Sequence, residues 1–274
     1  MSSPRVHPLA LVESGAEIGE GVEIGPFCHV QAGARIGERT RLLSHVVIGS
    51  HTTLGSDNLI HSGAVLGGPP QDKTWKGEPT LLKIGNGNIM RESVTVNRGT
   101  VKGGGETVVG DRNLLMACCH VGHDCRIGND TIISNAVLIA GHVHIGDRAV
   151  LAGAVACHHF ARIGRMVYVG GMSGVLHDVP PFTKAAGDRA RVRALNLVGL
   201  HRAGVDEAEI EELKRVFNLL FRRKAAISQA LPSIETKPGT PAAELVEFVR
   251  EWTSSPAGRY LEQFRTDRPP AARV

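Results

Sequence analysis

Aromatic side chains make up only 4% of the 274 residues, and no apolar run approaches the length of a membrane-spanning helix. This second absence, together with the lack of a basic and apolar leader at the N-terminus, argues against membrane insertion or export. The five cysteines are an odd number and include no Cys-x-x-Cys pair. We therefore expect buried, reduced thiols in a cytoplasmic protein without an integral membrane segment.

Long blocks of one charge are also missing, and the formal net charge is only +4. A nucleic-acid surface usually shows clustered basic residues, so we expect no nucleic-acid partner. The mildly basic balance is compatible with an acidic ligand or protein partner. Glycine, in contrast, is abundant at 33 residues, which suits a backbone that turns often and packs small layers.

The dominant feature is a six-residue repeat of aliphatic residues or near substitutes. It extends from Val6 to Leu66, returns between Ile84 and Val96, and runs unbroken from Val109 to Val175. Residues two apart on a strand share a face, so the aliphatic residue and the small residue two before it both point inward. Three short strands and three corners then form a coil, and stacked coils share one core, which predicts a parallel β-helix rather than a β-sandwich. We interpret the glycine that often follows the aliphatic residue as the point where the backbone turns sharply.

Two insertions interrupt the repeat, near residues 68–83 and 97–108. The repeat ends near Asp178-Val-Pro-Pro181, where the prolines deny the next strand its hydrogen-bond donors. The sequence therefore predicts a β-helical domain over residues 1–186 and an α-helical domain over residues 187–274.

Helix signals follow in this C-terminal part. Asp206, three residues before Glu209, resembles a capping box and precedes apolar residues at helical spacing. Thr240-Pro241 and Ser255-Pro256 each mark the start of a further helix. These helices either cap the open end of the β-helix and contact another subunit, or they contribute to a substrate site.

Loop motifs within and between the repeats carry a resemblance to a known family. The motifs are Gln71-Asp72, Gly77-Glu-Pro79, Arg91-Glu-Ser-Val-Thr95, Arg98-Gly-Thr100, Gly103-Gly-Gly105, Asn113-Leu-Leu-Met116, His123-Asp-Cys125, Ala140-Gly-His142, Gly170-Gly171 and Asp178-Val-Pro-Pro181. Together they resemble the UDP-N-acetylglucosamine O-acyltransferase family over nearly the whole chain. The resemblance implies a left-handed β-helix, a homotrimer with sites between subunits, and no cofactor. It also implies transfer of a 3-hydroxyacyl chain from acyl carrier protein to the sugar 3-hydroxyl of UDP-N-acetylglucosamine, the first step of lipid A synthesis.

Several histidines are spaced close to the length of one coil. His123, His142 and His158 should therefore lie near one edge of the β-helix. A sugar hydroxyl is a weak nucleophile, and its attack on a thioester needs a base that works near neutral pH, which histidine provides. The resemblance implies that His123 is this base, that Asp124 orients its ring, and that the backbone N–H of Gly141 stabilises the oxyanion. It also implies that three histidines position substrate: His120, His142 and His158.

The first insertion is expected to bind substrate, but it departs from the family pattern. The family has a lysine where this chain has Thr74. The candidate contacts are therefore Asp72 with Lys73 or Lys76.

The C-terminal part is expected to contact the nucleotide. Asn196 and Arg202 match the family's nucleotide-binding stretch, whereas Val198 and Ala203 depart from it. These departures leave a 3-amino sugar nucleotide open as the acceptor, which would give an amide.

Gly171 matches the position that sets acyl chain length in the family. A glycine there leaves room at the end of the acyl groove, which favours a long chain. The acyl carrier protein is acidic, and its candidate contacts are basic residues in the second half of the chain: Arg162, Arg165, Arg189 and Arg191.

Other functions use the same repeat. An acetyl-CoA-dependent O-acetyltransferase is one alternative, and a non-enzymatic scaffold is another. Hexapeptide carbonic anhydrases bind zinc through histidines on different coils, with His120/His123 and His142/His144 as the candidate pairs here. The joint set of loop motifs favours the acyltransferase without a bound metal.

Overall fold

A computed structural model describes residues 3–222 and 226–265, and most of it is a coil of short parallel strands arranged in three sheets. The strands are numbered in chain order. Sheet A contains β1 (Arg5–Val6), β4 (Glu23–Ile24), β7 (Arg41–Leu42), β10 (Leu59–Ile60), β13 (Ile89–Met90), β16 (Leu114–Leu115), β19 (Ile132–Ile133), β22 (Val150–Leu151), β25 (Tyr168–Val169), β27 (Thr183–Ala186) and β28 (Arg191–Leu195). Sheet B contains β2 (Leu11–Val12), β5 (His29–Val30), β8 (Val47–Ile48), β11 (Val65–Gly68), β14 (Thr95–Asn97), β17 (His120–Val121), β20 (Leu138–Ile139), β23 (Ala156–Cys157) and β26 (Gly174–Val175). Sheet C contains β3 (Glu17–Ile18), β6 (Arg35–Ile36), β9 (Thr52–Leu54), β12 (Leu81–Ile84), β15 (Glu106–Val109), β18 (Arg126–Ile127), β21 (His144–Ile145) and β24 (Arg162–Ile163).

The six-residue repeat builds the core in the predicted way. The aliphatic positions point inward, so that Ile60, Val121 and Ile139 are fully buried. The small residues two before them, such as Cys119 and Val137, are buried with them. These side chains form one continuous apolar column through the coils, which confirms the predicted parallel β-helix.

The glycine after the aliphatic residue was predicted to mark the point where the backbone turns sharply, and this physical reason is wrong. Positive φ angles fall on the third residue after the aliphatic position, as in Arg39 at 55° and Asp124 at 61°. The glycine directly after the aliphatic residue is required by close stacking instead. A Cβ on Gly37 would come within 2.5 Å of the carbonyl carbon of Gly55 in the next coil. Glycine follows every strand of sheet C, so this close approach recurs along one whole corner of the β-helix, and it also occurs singly at other corners, as at Gly25 and Gly49.

We call that corner, which leads from sheet C strands to the following sheet A strands, the CA edge. A ladder of side chains holds successive coils together along it. The N–H of Asn86 donates to Oδ1 of Asp111 at 2.6 Å, that of Asp111 to Oδ1 of Asn129 at 2.8 Å, and that of Asn129 to Oδ1 of Asp147 at 2.7 Å. The ladder satisfies corner N–H groups that the strands leave unpaired.

The corners that lead from sheet B strands to the following sheet C strands form the BC edge, and it carries both insertions. Residues 69–80 lie between β11 and β12, and residues 98–105 lie between β14 and β15. Strand partners before the insertions are 18 residues apart, but Leu59 pairs with Ile89 across the first insertion and Ile89 with Leu114 across the second. Both insertions therefore project from the BC edge, and the strands of the three sheets still pair across them.

The C-terminal part is mainly helical. The helices are α1 (Leu197–Arg202), α2 (Glu207–Phe221), α3 (Ile227–Ala230) and α4 (Pro241–Ser254), and short 3₁₀ helices span Val101–Gly103, Leu231–Ser233 and Tyr260–Phe264. Asp206 and Thr240 cap α2 and α4 as the sequence indicated. The helix that was expected to begin at Ser255-Pro256 is the short 3₁₀ turn that starts at Tyr260. Apolar faces of α2 and α4 form a second core with Phe182 from the end of the β-helix.

The region predicted as an α-helical domain over residues 187–274 also contains β28, which pairs antiparallel with β27 and extends sheet A. Residues 223–225 and 266–274 of that region, and residues 1–2 of the β-helical region, lie outside the described part of the chain. None of the helices in the described ranges combines the length and the apolar character that a membrane crossing requires.

Candidate active site

Three aromatic rings lie against one another along the BC edge. His123 and His142 meet edge to face with ring centroids 5.1 Å apart, and Phe160 stacks on His142 at 4.3 Å. Asp124, His142 and Phe160 occupy the same corner position on successive coils, with φ angles of 61°, 62° and 64°. The coil repeat thus brings residues that are distant in sequence into one line.

Asp124 lies beneath these rings, and its side chain is fully buried. Thr100 donates to it twice, from its N–H to Oδ1 at 2.6 Å and from its hydroxyl to Oδ2 at 2.7 Å. Nδ1 of His123 donates to Oδ2 at 2.7 Å. A Cβ on Gly103 would overlap the carboxylate, which explains one glycine of the Gly103-Gly-Gly105 run. The second insertion, which supplies Thr100 and Gly103, therefore fixes the position of the Asp124 carboxylate.

The hydrogen-bond pattern assigns the tautomer of His123. A carboxylate only accepts, so Nδ1 of His123 carries the proton and Nε2 keeps a lone pair for the substrate. Gly141 lies beside the ring, and a Cβ there would come within 2.6 Å of Cε1 of His123. Within residues 3–222 and 226–265, the N–H of Gly141 donates no hydrogen bond. A proton acceptor and an unused N–H donor thus lie side by side.

A cavity of about 410 Å³ opens next to His123. Asp72 from the first insertion and Lys102 from the second line it, with 3.3 Å between Oδ2 and Nζ. The N–H and the hydroxyl of Thr74 donate to Oδ1 of Asp72, and these bonds, with Lys102, hold the pKa of Asp72 below its ordinary value. Thr74, which replaces the family's lysine, therefore shapes the loop around Asp72.

Two further histidines in the cavity wall carry little positive charge at neutral pH. Burial lowers the pKa of His144 to about 4, and the nearby Arg126 and Arg162 add to the effect. Burial likewise lowers the pKa of His159 to about 4, with a further contribution from His158. Both rings are therefore neutral at neutral pH, and they offer hydrogen bonds rather than charge.

Seven of the nine predicted binding residues lie outside the wall of this cavity, and four of these seven are Lys73, Lys76, His120 and His158. His120 lies on β17, where Nδ1 is 2.8 Å from the hydroxyl oxygen of Thr95, and burial lowers its pKa. The ring of His158 lies against that of His159, with centroids 3.8 Å apart. Lys73 and Lys76 are exposed on the first insertion. Their roles remain predictions.

Asn196 and Arg202 line a second cavity, of about 580 Å³, on the outer face of sheet A. Oδ1 of Asn196 accepts from the N–H of Gly199, and its Nδ2 donates to the carbonyl of Met166, so this side chain caps α1. The departures at Val198 and Ala203 line the same cavity. Within one chain, the predicted nucleotide contacts are therefore separate from His123.

Gly171 lies at a third place, a corner between sheets A and B. It is exposed, and a Cβ there would come within 3.3 Å of the carbonyl oxygen of Gly153. The neighbouring Met172 is 82% exposed. The space around Gly171 is compatible with the predicted effect on acyl chain length, and this effect stays a prediction.

His123, Asp124 and His142 also bring possible metal ligands within 4.8 Å of one another. Coordination by Asp124 would break hydrogen bonds that it already accepts from Thr100 and His123. In the zinc alternative, His144 would be a ligand, but it lies between Arg126 and Arg162 on sheet C, and their charges disfavour a cation. The arrangement suits an orienter and a base better than a metal centre.

Sequence reasoning missed several residues that line the first cavity. Lys102 and Phe160 come from the BC edge, and Leu261, Phe264 and Arg265 come from the C-terminal 3₁₀ turn. The coil period gives a signal for Phe160, which lies 18 residues after His142. Nothing in the local sequence indicates that the C-terminal turn reaches the site.

Known proteins resemble the chain over most of its length. Residues 178–258 match the model for UDP-N-acetylglucosamine O-acyltransferase, domain 2, and residues 15–50 and 106–141 match the bacterial transferase hexapeptide model. The acyl-[acyl-carrier-protein]–UDP-N-acetylglucosamine O-acyltransferase of Rhizobium johnstonii is 43% identical over 249 residues, which cover 90% of this chain and 92% of that protein. The enzyme of the same name from Sinorhizobium fredii is 42% identical over 251 residues, 91% of this chain and 93% of that protein.

Solved structures agree with the sequence comparison. The UDP-N-acetylglucosamine acyltransferase of Francisella novicida superposes with a TM-score of 0.86 at 36% identity, over 88% of this chain and 90% of that one. LpxA from Acinetobacter baumannii gives a TM-score of 0.85 at 36% identity, over 94% of this chain and 96% of that one. The predicted left-handed β-helix with C-terminal helices is thereby confirmed. On this evidence the chain belongs to the UDP-N-acetylglucosamine O-acyltransferase family.

Proposed function

We propose that this protein transfers a 3-hydroxyacyl chain from acyl carrier protein to the 3-hydroxyl of UDP-N-acetylglucosamine, the first step of lipid A biosynthesis. One observation carries the chemical part of the proposal. The buried carboxylate of Asp124 holds Nδ1 of His123, and the N–H of Gly141 lies unused beside the same ring. Acyl transfer needs a base and a hydrogen-bond donor for the oxyanion side by side. The relatives from Rhizobium johnstonii and Sinorhizobium fredii are named for this same acyl transfer.

In the proposed mechanism, Nε2 of His123 takes the proton of the sugar 3-hydroxyl as its oxygen attacks the thioester carbonyl. Asp124 stabilises the imidazolium that forms. The N–H of Gly141 donates to the oxyanion of the tetrahedral intermediate. Collapse of the intermediate breaks the C–S bond, and the leaving sulfur takes the proton from Nε2, which restores the base.

We further propose a homotrimer in which the second cavity of one subunit lies near His123 of its neighbour. The outer face of sheet A supports this arrangement, because outward-pointing apolar residues of adjacent strands form a stripe across it. The stripe consists of Leu59, Ile89, Leu114, Ile132, Val150 and Tyr168. A contiguous apolar patch at the surface of a protein is a mark of an interface. A neighbour packed there would unite the nucleotide contacts Asn196 and Arg202 with the base.

The cysteines support a reducing, cytoplasmic location. Within the described residues all five are unpaired, and four of them are buried. Burial raises the pKa of Cys119 to about 11 and that of Cys125 to about 12, which keeps these thiols inert.

The test is a transfer assay with 3-hydroxyacyl carrier protein and UDP-N-acetylglucosamine. Removal of the base in His123→Ala should lower kcat by about 10²–10⁴-fold. His45→Ala, an exposed histidine on another corner, is the matched control and should retain wild-type activity. Equal activity of His123→Ala and wild type would exclude His123 as the base. Faster transfer by wild type to the 3-amino sugar nucleotide would reassign the acceptor.

A further inference from the structure

The chain's own C-terminal turn, residues 259–265, closes one side of the catalytic cavity. Leu261, Phe264 and Arg265 line it together with the loop residues Asp72 and Lys102. The guanidinium carbon of Arg265 lies 5.7 Å from the centroid of Phe160, which itself stacks on His142. The turn is thus connected to the catalytic histidines by consecutive ring contacts.

Specific hydrogen bonds attach this turn to the last coil. Oδ2 of Asp178 accepts from Nε of Arg162 at 2.8 Å and from the N–H of Tyr260 at 3.0 Å. The Arg162 guanidinium also lies over the ring of Tyr260, 4.4 Å from its centroid. Nη1 of Arg259 donates to the carbonyl of Leu176 at 2.8 Å. Arg162 is therefore a half-buried anchor for the turn, and its predicted contact with the carrier protein stays a prediction.

The exposed part of the turn has a mixed chemistry. Phe264 is 63% exposed although it is large and apolar, and its ring is supported from behind by Tyr260 at 5.4 Å. Arg265 adds a guanidinium next to it. Sugar hydroxyls gain little from an apolar wall. The acyl donor, in contrast, is held on a pantetheine arm that combines methyl and methylene groups with a phosphodiester, and it matches both features.

We infer that the C-terminal turn binds the acyl donor, with Leu261 and Phe264 against the pantetheine arm and Arg265 paired with its phosphodiester. The inference rests on the proposed function and names residues that this function did not require. It assigns a donor subsite to a segment that follows α4.

Two small donors test the contact to the phosphate: 3-hydroxyacyl-phosphopantetheine, which carries it as a monoester, and 3-hydroxyacyl-pantetheine, which lacks it. Loss of one charge-assisted hydrogen bond in Arg265→Gln should raise KM for the phosphorylated donor by about three- to tenfold. KM for the other donor and for UDP-N-acetylglucosamine should stay at wild-type values. Arg265→Lys should retain part of the effect of the charge. Arg35→Gln, an exposed arginine on sheet C, is the matched control.

Phe264→Ala tests the apolar contact in the same assay. Loss of buried apolar area should raise KM for both donors by about three- to tenfold, without a change in KM for the sugar nucleotide. Phe27→Ala, which removes another exposed phenylalanine far from the site, should change neither KM.

Three outcomes overturn the inference while wild type remains active: unchanged KM values in both variants, equal effects of Arg265→Gln on the two donors, or a rise in KM for the sugar nucleotide instead. The last outcome would assign the turn to the acceptor. Absence of transfer by wild type would overturn the proposed function, and the inference with it.

Discussion

At the scale of single residues, the site depends on the absence of a β-carbon at Gly141. Gly141 and His123 occupy the same corner position on adjacent coils, so the imidazole lies directly over the glycine. Any β-carbon at residue 141 would push the ring away from its bond to Asp124. At this corner the coil repeat places the ring of His123 over a glycine, which has only hydrogen atoms on its α-carbon.

Gly141→Ala should therefore lower kcat by about 10-fold or more, because a base displaced by even part of an ångström loses its alignment. Stability should change little, because the clash is with a side chain that can rotate outward. Gly153 is the matched control, since it occupies the equivalent position on another corner and a Cβ there meets only ordinary contacts, the nearest at 3.6 Å. The check is kcat with a thermal unfolding curve for both variants. A fully active Gly141→Ala would contradict the stacking argument.

At the scale of elements, the three corners of the coil have different physical roles. The CA edge carries the glycine column and the Asn/Asp ladder, and both serve close stacking. The BC edge carries the insertions and the site. The residues that hold the coils together and the residues of the site thus lie at opposite ends of the sheet C strands.

A substitution in the glycine column should damage the fold rather than the chemistry. In Gly37→Ala the new Cβ meets the backbone of Gly55, which cannot move aside as a side chain can. Overpacking of this kind costs about 1–3 kcal/mol, and the unfolding temperature should fall by about 2 °C or more. Gly153→Ala again serves as control. An unchanged unfolding temperature in Gly37→Ala would show that the coils can separate at this edge.

The corners also explain which parts of the structure could be predicted from the sequence and which could not. Inward positions could be predicted because the strand alternation and the coil length leave one solution, as at Val121 and Ile139. His123 and Asp124 could be predicted from a local motif. Thr100 and Arg265 could not, because their contacts depend on where an insertion and a C-terminal turn return to the edge. The error over the glycines has the same origin, since the contact that excludes a Cβ comes from the next coil and not from neighbours in sequence.

At the scale of the whole molecule, the outer faces of sheets A and C differ in polarity. Sheet A carries the apolar stripe from β10 to β25 and charged residues such as Arg41 and Lys184 beyond it. The outer positions of sheet C include charged residues such as Glu17, Arg35 and Lys83. Sheet C is therefore the face that suits solvent. The apolar stripe indicates which face the proposed trimer covers.

Ile132→Glu places a charge in the middle of that stripe and should dissociate the trimer, because burial of an unpaired carboxylate is costly. Light scattering should give three times the chain mass of 29.2 kDa for wild type and a smaller mass for the variant. Activity should fall with the mass. Thr53→Glu, on the outer face of sheet C, should leave both unchanged. A trimeric Ile132→Glu would place the interface elsewhere.

The pairing of strands across the two insertions has a consequence for how such a chain can diverge. Leu59 still pairs with Ile89, and Ile89 with Leu114, although extra residues leave and re-enter the coil between them. Length can therefore change at the BC edge while the strands of sheet A keep their register. The loops that line the cavity beside His123 can thus vary in length independently of that wall. An exchange of residues 69–80 between members of the family would test directly whether loops at the BC edge can vary without a change in the coil.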